Sequence, residues 1–202
     1  MLHSRPVASI DESNGYEKIA ADYIARRGSK SGGIGARVVA DWSQQLPAGG
    51  SILDVGCGNG IPISEVLIER GFQVYGVDAS QAMVEGFRAR FPGVPVQCSS
   101  VDDSDFFGRS FDAVVAWGVV FLLAEDAQRR LLAKIGGVLR SGGLLLFTAP
   151  RQRCSWSDAM TGERSVSLGD EEYQRVLESA GLVVTGTESD EGENHYYLAR
   201  MD

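Results

Sequence analysis

The chain has 202 residues, 44% of them hydrophobic, enough to bury the core of one α/β domain without requiring a second. A net charge of -8 argues against a partner that is mostly phosphate, so no nucleic acid is expected as substrate. No apolar run reaches the ~18 residues of a membrane span, and the opening M-L-H-S-R-P-V-A-S-I-D-E has no signal-peptide core; both predict a soluble, cytoplasmic protein with no membrane partner.

In chain order, the polar segment up to about Glu12, which holds His3, reads as a frayed terminus. Tyr16, Ile19, Ala20, Tyr23 and Ile24 recur at helical spacing, and after a polar glycine-rich break, residues 28–35, a second helix runs from Ala36 to Trp42. Ile52, Leu53 and Val55 form a short apolar strand around Asp54, broken at once by Gly56, Gly58 and Gly60. Ile61, Ile63, Val66 and Leu67 then return to helical spacing, with Pro62 where a first helical turn tolerates a missing N–H. Strand, glycine loop and helix follow one another, an arrangement that lets backbone approach a ligand closely.

The spacing of that loop discriminates between cofactors. A dinucleotide fingerprint, G-x-G-x-x-G/A, ends in a small residue that lets the helix pack around a pyrophosphate, and here that position is Ile61. The glycines instead run G-x-G-x-G, and Asp54, two residues before the first, suits a cation better than a pyrophosphate. The stretch L-D-V-G-C-G-N-G resembles the first motif of the class I S-adenosylmethionine-dependent methyltransferases, of the small-molecule, type 11/25-like kind.

The rest of the chain keeps the rhythm that this resemblance implies. Gln73 to Val77 reads as a second strand closed by Asp78, and Ser80 caps a helix with Met83, Val84 and Phe87 inward. Val94 to Cys98 and Phe111 to Trp117 are strands three and four; a helix from Glu125 to Arg140 turns at Ser141-Gly142-Gly143 into strand five, Leu144 to Thr148. Pro150 to Gly169 lacks clear periodicity and reads as a long functional loop. A helix from Asp170 buries Tyr173, Val176 and Leu177, and Leu182 to Thr187 and His195 to Arg200 form a hairpin. The expected fold is α/β and Rossmann-like: a doubly wound seven-stranded sheet, mostly parallel, with a C-terminal antiparallel hairpin strand. It forms a single domain over 1–202, with lid helices in 1–46, a cofactor-binding core in 51–150 and an acceptor side in 151–202.

Cofactor in such a fold lies beyond the carboxyl ends of the strands, where strand order reverses. The resemblance implies S-adenosyl-L-methionine as cofactor, with Asp54, Gly56, Cys57, Gly58, Asn59 and Gly60 around its amino acid moiety and Asp78 on both ribose hydroxyls, flanked by Ala79 and Met83. Past strand three the family carries an acid that takes the adenine amino group; counting back from Phe111-Asp112 puts Ser100 there, followed by Val101 and Asp102, a departure that leaves Ser100 or Asp102 as the base contact. Trp117 falls where a backbone carbonyl meets the cofactor's amino end, and the lid helix brings Tyr16 to the cofactor. Many relatives carry a histidine just after that point; here the stretch is V-V-F-L-L, which leaves His195, at the hairpin, as the candidate catalytic base. Acceptor contacts are expected from Tyr23, Trp156, Asp190, Asn194 and Tyr196. The partner is then a small-molecule methyl acceptor, the protein a monomer or homodimer. No metal is expected, because Cys57, Cys98 and Cys154 show no C-x-x-C spacing. Two other readings of the same residues are an NAD(P)-dependent oxidoreductase and a methyltransferase-like module that binds cofactor without catalysis.

Overall fold

The computed structural model describes residues 11–26 and 32–202; His3, the rest of the opening segment up to residue 10 and residues 27–31 of the glycine break lie outside it. Two helices, α1 (Tyr16–Arg26) and α2 (Ala36–Ser43), precede an alternating run: β1 (Ser51–Val55), α3 (Ile63–Glu69), β2 (Gln73–Asp78), α4 (Gln81–Arg90), β3 (Val96–Cys98), β4 (Phe111–Ala116), α5 (Glu125–Val138) and β5 (Leu139–Thr148). After it come β6 (Cys154–Ser157), β7 (Arg164–Ser167), α6 (Asp170–Ser179), β8 (Leu182–Ser189) and β9 (His195–Met201).

Seven strands form one sheet in the order β3-β2-β1-β4-β5-β9-β8, parallel from β3 through β5, with β9 antiparallel to both of its neighbours. The order reverses between β1 and β4, so the crevice at their carboxyl ends is the expected ligand site. Inner strands are buried on both sides because helices cover both faces: all five residues of β1 are buried. On one face Trp42, Val39, Ile63 and Leu67 from α2 and α3 pack on Ile52, Val115 and Tyr196. On the other, Leu131 and Ile135 of α5 and Tyr173 and Leu177 of α6 pack on Leu53, Phe147 and Tyr197.

Three expectations are corrected here. The segment expected to be an irregular loop holds a two-stranded ribbon, with Ser155 opposite Val166 and Trp156 opposite Ser165. Its strands are four residues long and half serine, too short and too polar for alternation to register. Strand five begins at Leu139, because that residue already pairs with Phe111 before the register shifts at the glycines. Strand three starts after Pro95, whose carbonyl accepts the Gly76 N–H although its own nitrogen has none to give.

Candidate functional site

A cavity of about 500 Å³ opens at the carboxyl ends of β1, β2, β3 and β4. Its floor is the glycine loop. The N–H groups of Gly56 and Cys57 both donate to the Val77 carbonyl, at 2.8 and 3.1 Å, which folds the loop back across β2. Asp78 finishes the turn: one carboxylate oxygen accepts the Gly58 N–H and the other the Ser80 N–H, each at 2.8 Å. The three glycines adopt positive φ for different reasons. A Cβ on Gly56 would lie 2.5 Å from Val119 and one on Gly60 2.4 Å from the Phe91 ring, whereas one on Gly58 would meet only the Met83 sulfur, at 4.0 Å. Gly56 and Gly60 are therefore bare for packing, and Gly58 leaves room at the cavity wall for a ligand.

Two carboxylates face this floor. Asp54, 2% exposed, accepts the Ser64 hydroxyl at 2.6 Å. Burial pushes its pKa up to about 7 against the lowering effect of the Ser64 bond, and the neighbouring Asp78 charge adds to the rise. Asp78 is raised too, by burial first, against its two backbone bonds, with the Glu17 charge adding to the rise. The Cys57 thiol between them is raised well above its ordinary value by burial and then by both acids, so it is no nucleophile.

Helix α1 roofs the cavity. Glu17 ties it down by accepting from the Ser80 hydroxyl at 2.5 Å and from the Ala82 N–H at 3.1 Å, at the positive end of α4. Tyr16 and Tyr23, packed edge to face at 5.7 Å, both reach the wall. Opposite them the wall is apolar, made by Phe121, Leu122, Leu123, Ala127 and Met160.

Of the residues expected from sequence, Tyr16, Tyr23, Asp54, Gly56, Cys57, Gly58, Asp78, Ala79, Met83, Ser100, Val101, Asp102, Trp117 and Asn194 line this one cavity. The remainder stand behind it. Asn59 is buried against α4 near Gly86, and Gly60 against Phe87 and Phe91. Trp156 packs on Phe121 at 5.5 Å between ring centroids, supporting a wall residue. Tyr196 is fully buried: its hydroxyl accepts from Trp117 Nε1 at 2.7 Å and donates to Asp190 at 2.6 Å. Asp190 in turn gathers the Gly192 and Asn194 N–H groups, so this pair fixes the hairpin tip and the Trp117 indole.

His195 is not brought to the cavity wall. It lies two residues before Tyr197 on β9, and its ring meets Tyr197 edge to face at 4.8 Å, on the α5 and α6 side of the sheet, away from Tyr196 and Trp117. Its Nε2 is buried without a hydrogen-bond partner, and burial followed by the charge of Arg151 lowers its pKa. Sequence reasoning placed it by position along the strand and missed the side-chain parity of β9.

It also missed Glu17 and Ser64, whose roles depend on contacts 63 and 10 residues away in sequence. The apolar wall was visible as V-V-F-L-L, noted there only for the histidine it lacks.

The residues present fit a ligand that carries positive charge and a nucleoside: two buried acids, an open Gly58 and a second wall along the loop after β3. Comparison with known proteins agrees. Residues 52–143 match the family model described as a methyltransferase domain. A Mycolicibacterium smegmatis protein named "Probable S-adenosylmethionine-dependent methyltransferase" is 29% identical over 144 residues, 69% of this chain and 54% of that one. The chain spans about half the length of the curated relatives it matches. Among solved structures, the CcbJ methyltransferase from Streptomyces caelestis superposes with a TM-score of 0.77 at 18% identity, covering 95% of this chain and 99% of that one. A Burkholderia thailandensis 1,6-didemethyltoxoflavin-N1-methyltransferase does so with a TM-score of 0.69 at 17% identity, over 98% and 93% of the two chains. At such identities the superpositions establish the fold. Together with the matched domain they show a chain with the methyltransferase fold, similar over residues 52–143 to the methyltransferase domain family. No helix among the described residues is long and apolar enough to cross a membrane.

Proposed function

We propose that this chain is an enzyme that transfers the methyl group of S-adenosylmethionine to a small-molecule acceptor by in-line displacement. The observation that carries this reading is the pair of buried acids, Asp54 and Asp78, beside the open Gly58 in a cavity of about 500 Å³, a volume typical of small-molecule sites. The same pair disfavours the nicotinamide reading, since a pyrophosphate placed between two carboxylates would be repelled. Small-molecule acceptors are supported by the Burkholderia neighbour, whose structure holds 1,6-didemethyltoxoflavin with S-adenosylhomocysteine.

A bound cofactor would supply an activated methyl group with a neutral thioether as its leaving group. The chain's own task is then alignment and exclusion of water, worth effective molarities of up to ~10⁵ M or more. Asp54 would face the cationic end of the bound cofactor, and the lone pairs of Asp78 not used by Gly58 and Ser80 would take its ribose hydroxyls. The aromatic and apolar wall, Tyr23, Trp117, Phe121 and Met160, would hold the acceptor. His195, sitting behind the sheet, gives no direct proton path, and the reading does without it.

Incubation with labelled cofactor and a panel of small amines, alcohols, thiols and carboxylic acids tests the proposal. Transfer to at least one class is expected; transfer to none, with cofactor bound, would favour a binding module without catalysis. Asp78→Ala is expected to weaken S-adenosylhomocysteine binding by about 1.5–3 kcal/mol, the worth of hydrogen bonds to a charged group. Unchanged affinity by calorimetry would place the ribose elsewhere.

A further inference from the structure

The loop that follows β3 lines the cavity through Ser99, Ser100, Val101 and Asp102, yet both of its expected base-reading side chains are already engaged, one within the loop and one by α5. The Ser100 hydroxyl donates to Asp103 at 3.1 Å and accepts the Asp103 N–H at 3.2 Å. Both oxygens of Asp102 are taken by Arg130, at 3.0 Å to Nε and 2.6 Å to Nη2. Four residues on along α5, Lys134 sends its ammonium to three main-chain carbonyls of the same loop. These are Val101 at 2.9 Å, Asp102 at 3.2 Å and Ser104, and the ammonium lies 4.6 Å above the buried Phe106 ring. An ammonium has three donors, and all three are spent on this loop.

From this juxtaposition we propose that Lys134 and Arg130 are positioning residues for cofactor recognition: they clamp the loop so that its main chain, not a side chain, reads the base. The proposal rests on the reading that the cofactor's base lies against Ser100 to Asp102. A trans peptide points its C=O and N–H in opposite directions. With the Val101 carbonyl drawn to Lys134, the N–H of Asp102 is turned away from α5, as a donor. A donor there suits the ring nitrogen of adenine, an acceptor, and opposes that of hypoxanthine, which carries a proton. Arg130 contributes by pinning Asp102, the residue that carries this N–H, to α5 through its carboxylate. Charge-assisted bonds to three carbonyls set the loop more firmly than neutral contacts would.

The test is calorimetry of S-adenosylhomocysteine against S-inosylhomocysteine, on wild type, Lys134→Met and Arg130→Met, each checked for a cooperative melt. Wild type is expected to prefer the adenosyl ligand by about tenfold or more. Lys134→Met is expected to bring the two affinities to within about twofold, chiefly by losing the adenosyl ligand, and Arg130→Met to move the ratio the same way by about twofold. An unchanged ratio in folded Lys134→Met, or equal losses of both ligands, would overturn the proposal, because a merely structural lysine weakens both alike. Should Lys134→Met not fold, Arg130→Met, altered at an exposed residue, decides alone: a shifted ratio supports the clamp and an unshifted one removes it. Wild type binding neither ligand would instead remove the cofactor reading beneath it.

Discussion

Gly58→Ala is expected to weaken S-adenosylhomocysteine binding by about a hundredfold, the upper range for forcing extra volume into a packed contact, with the domain still folded. The added methyl group would meet only the Met83 sulfur at 4.0 Å, so nothing in the protein itself is displaced. What it fills is the space beside Asp54 and Asp78. The backbone, at φ +53°, costs such a residue about 1–2 kcal/mol, a drop of several degrees in melting temperature. Gly60→Ala is the control, since its methyl group would lie 2.4 Å from the Phe91 ring and 3.1 Å from that of Phe87, so these side chains must shift. That variant is expected to lose stability well beyond the backbone term. Calorimetry and a thermal melt on both variants give the answer: Gly58→Ala binding as wild type does would make the loop a turn and nothing more. A melt as damaged as that of Gly60→Ala would make it a packing glycine.

How much of this was legible before the structure depends on which contacts are local. The glycine loop, Asp78 and the Ser80 cap fall within one strand, turn and helix, where spacing dictates geometry, and each is found where it was expected. The closing hairpin was legible because β8 and β9 are both long, each with an apolar stretch, and a polar run separates those stretches. The ribbon of β6 and β7 was not, because its four-residue strands bury Ser165 and Ser167 as readily as Val166. The base-reading loop shows the deeper limit. Its sequence, S-S-V-D-D-S, offers Ser100 and Asp102 as candidates, but Arg130 and Lys134 lie 28 and 33 residues beyond Asp102 and Val101. Only the placement of Arg130 on α5 shows that the Asp102 carboxylate is already engaged. His195 fails for a simpler reason: alternation along β9 assigns it the face of Tyr197, and one position earlier or later would have turned it toward Trp117.

Asp54 should make the stability of the ligand-free protein fall as pH rises from about 4 to about 7. Its ordinary value is 3.8 and burial raises it to about 7 in the folded state, so between those values the folded protein holds a proton that the unfolded chain has released. Stability is lost wherever the folded state binds more protons, and the loss levels off above the folded value. Asp78, raised by burial as well, acts in the same direction. His195 acts oppositely: its lowered pKa keeps the folded protein less protonated than the unfolded chain, so its contribution grows with pH. The difference between wild type and Asp54→Asn therefore isolates the term. Asp54→Asn is expected to be the more stable of the two above pH 7, by an amount that shrinks toward pH 4. A bound cation reverses the balance, because a positive charge beside Asp54 favours its ionised form. S-adenosylmethionine binding at pH 7 should accordingly release a proton, read as a dependence of the calorimetric heat on the buffer's ionisation enthalpy, and Asp54→Asn should abolish most of that dependence. Equal heats in phosphate and Tris for wild type, or a stability difference from Asp54→Asn that does not change with pH, would show that Asp54 is ionised throughout and takes no part in receiving the cofactor's charge.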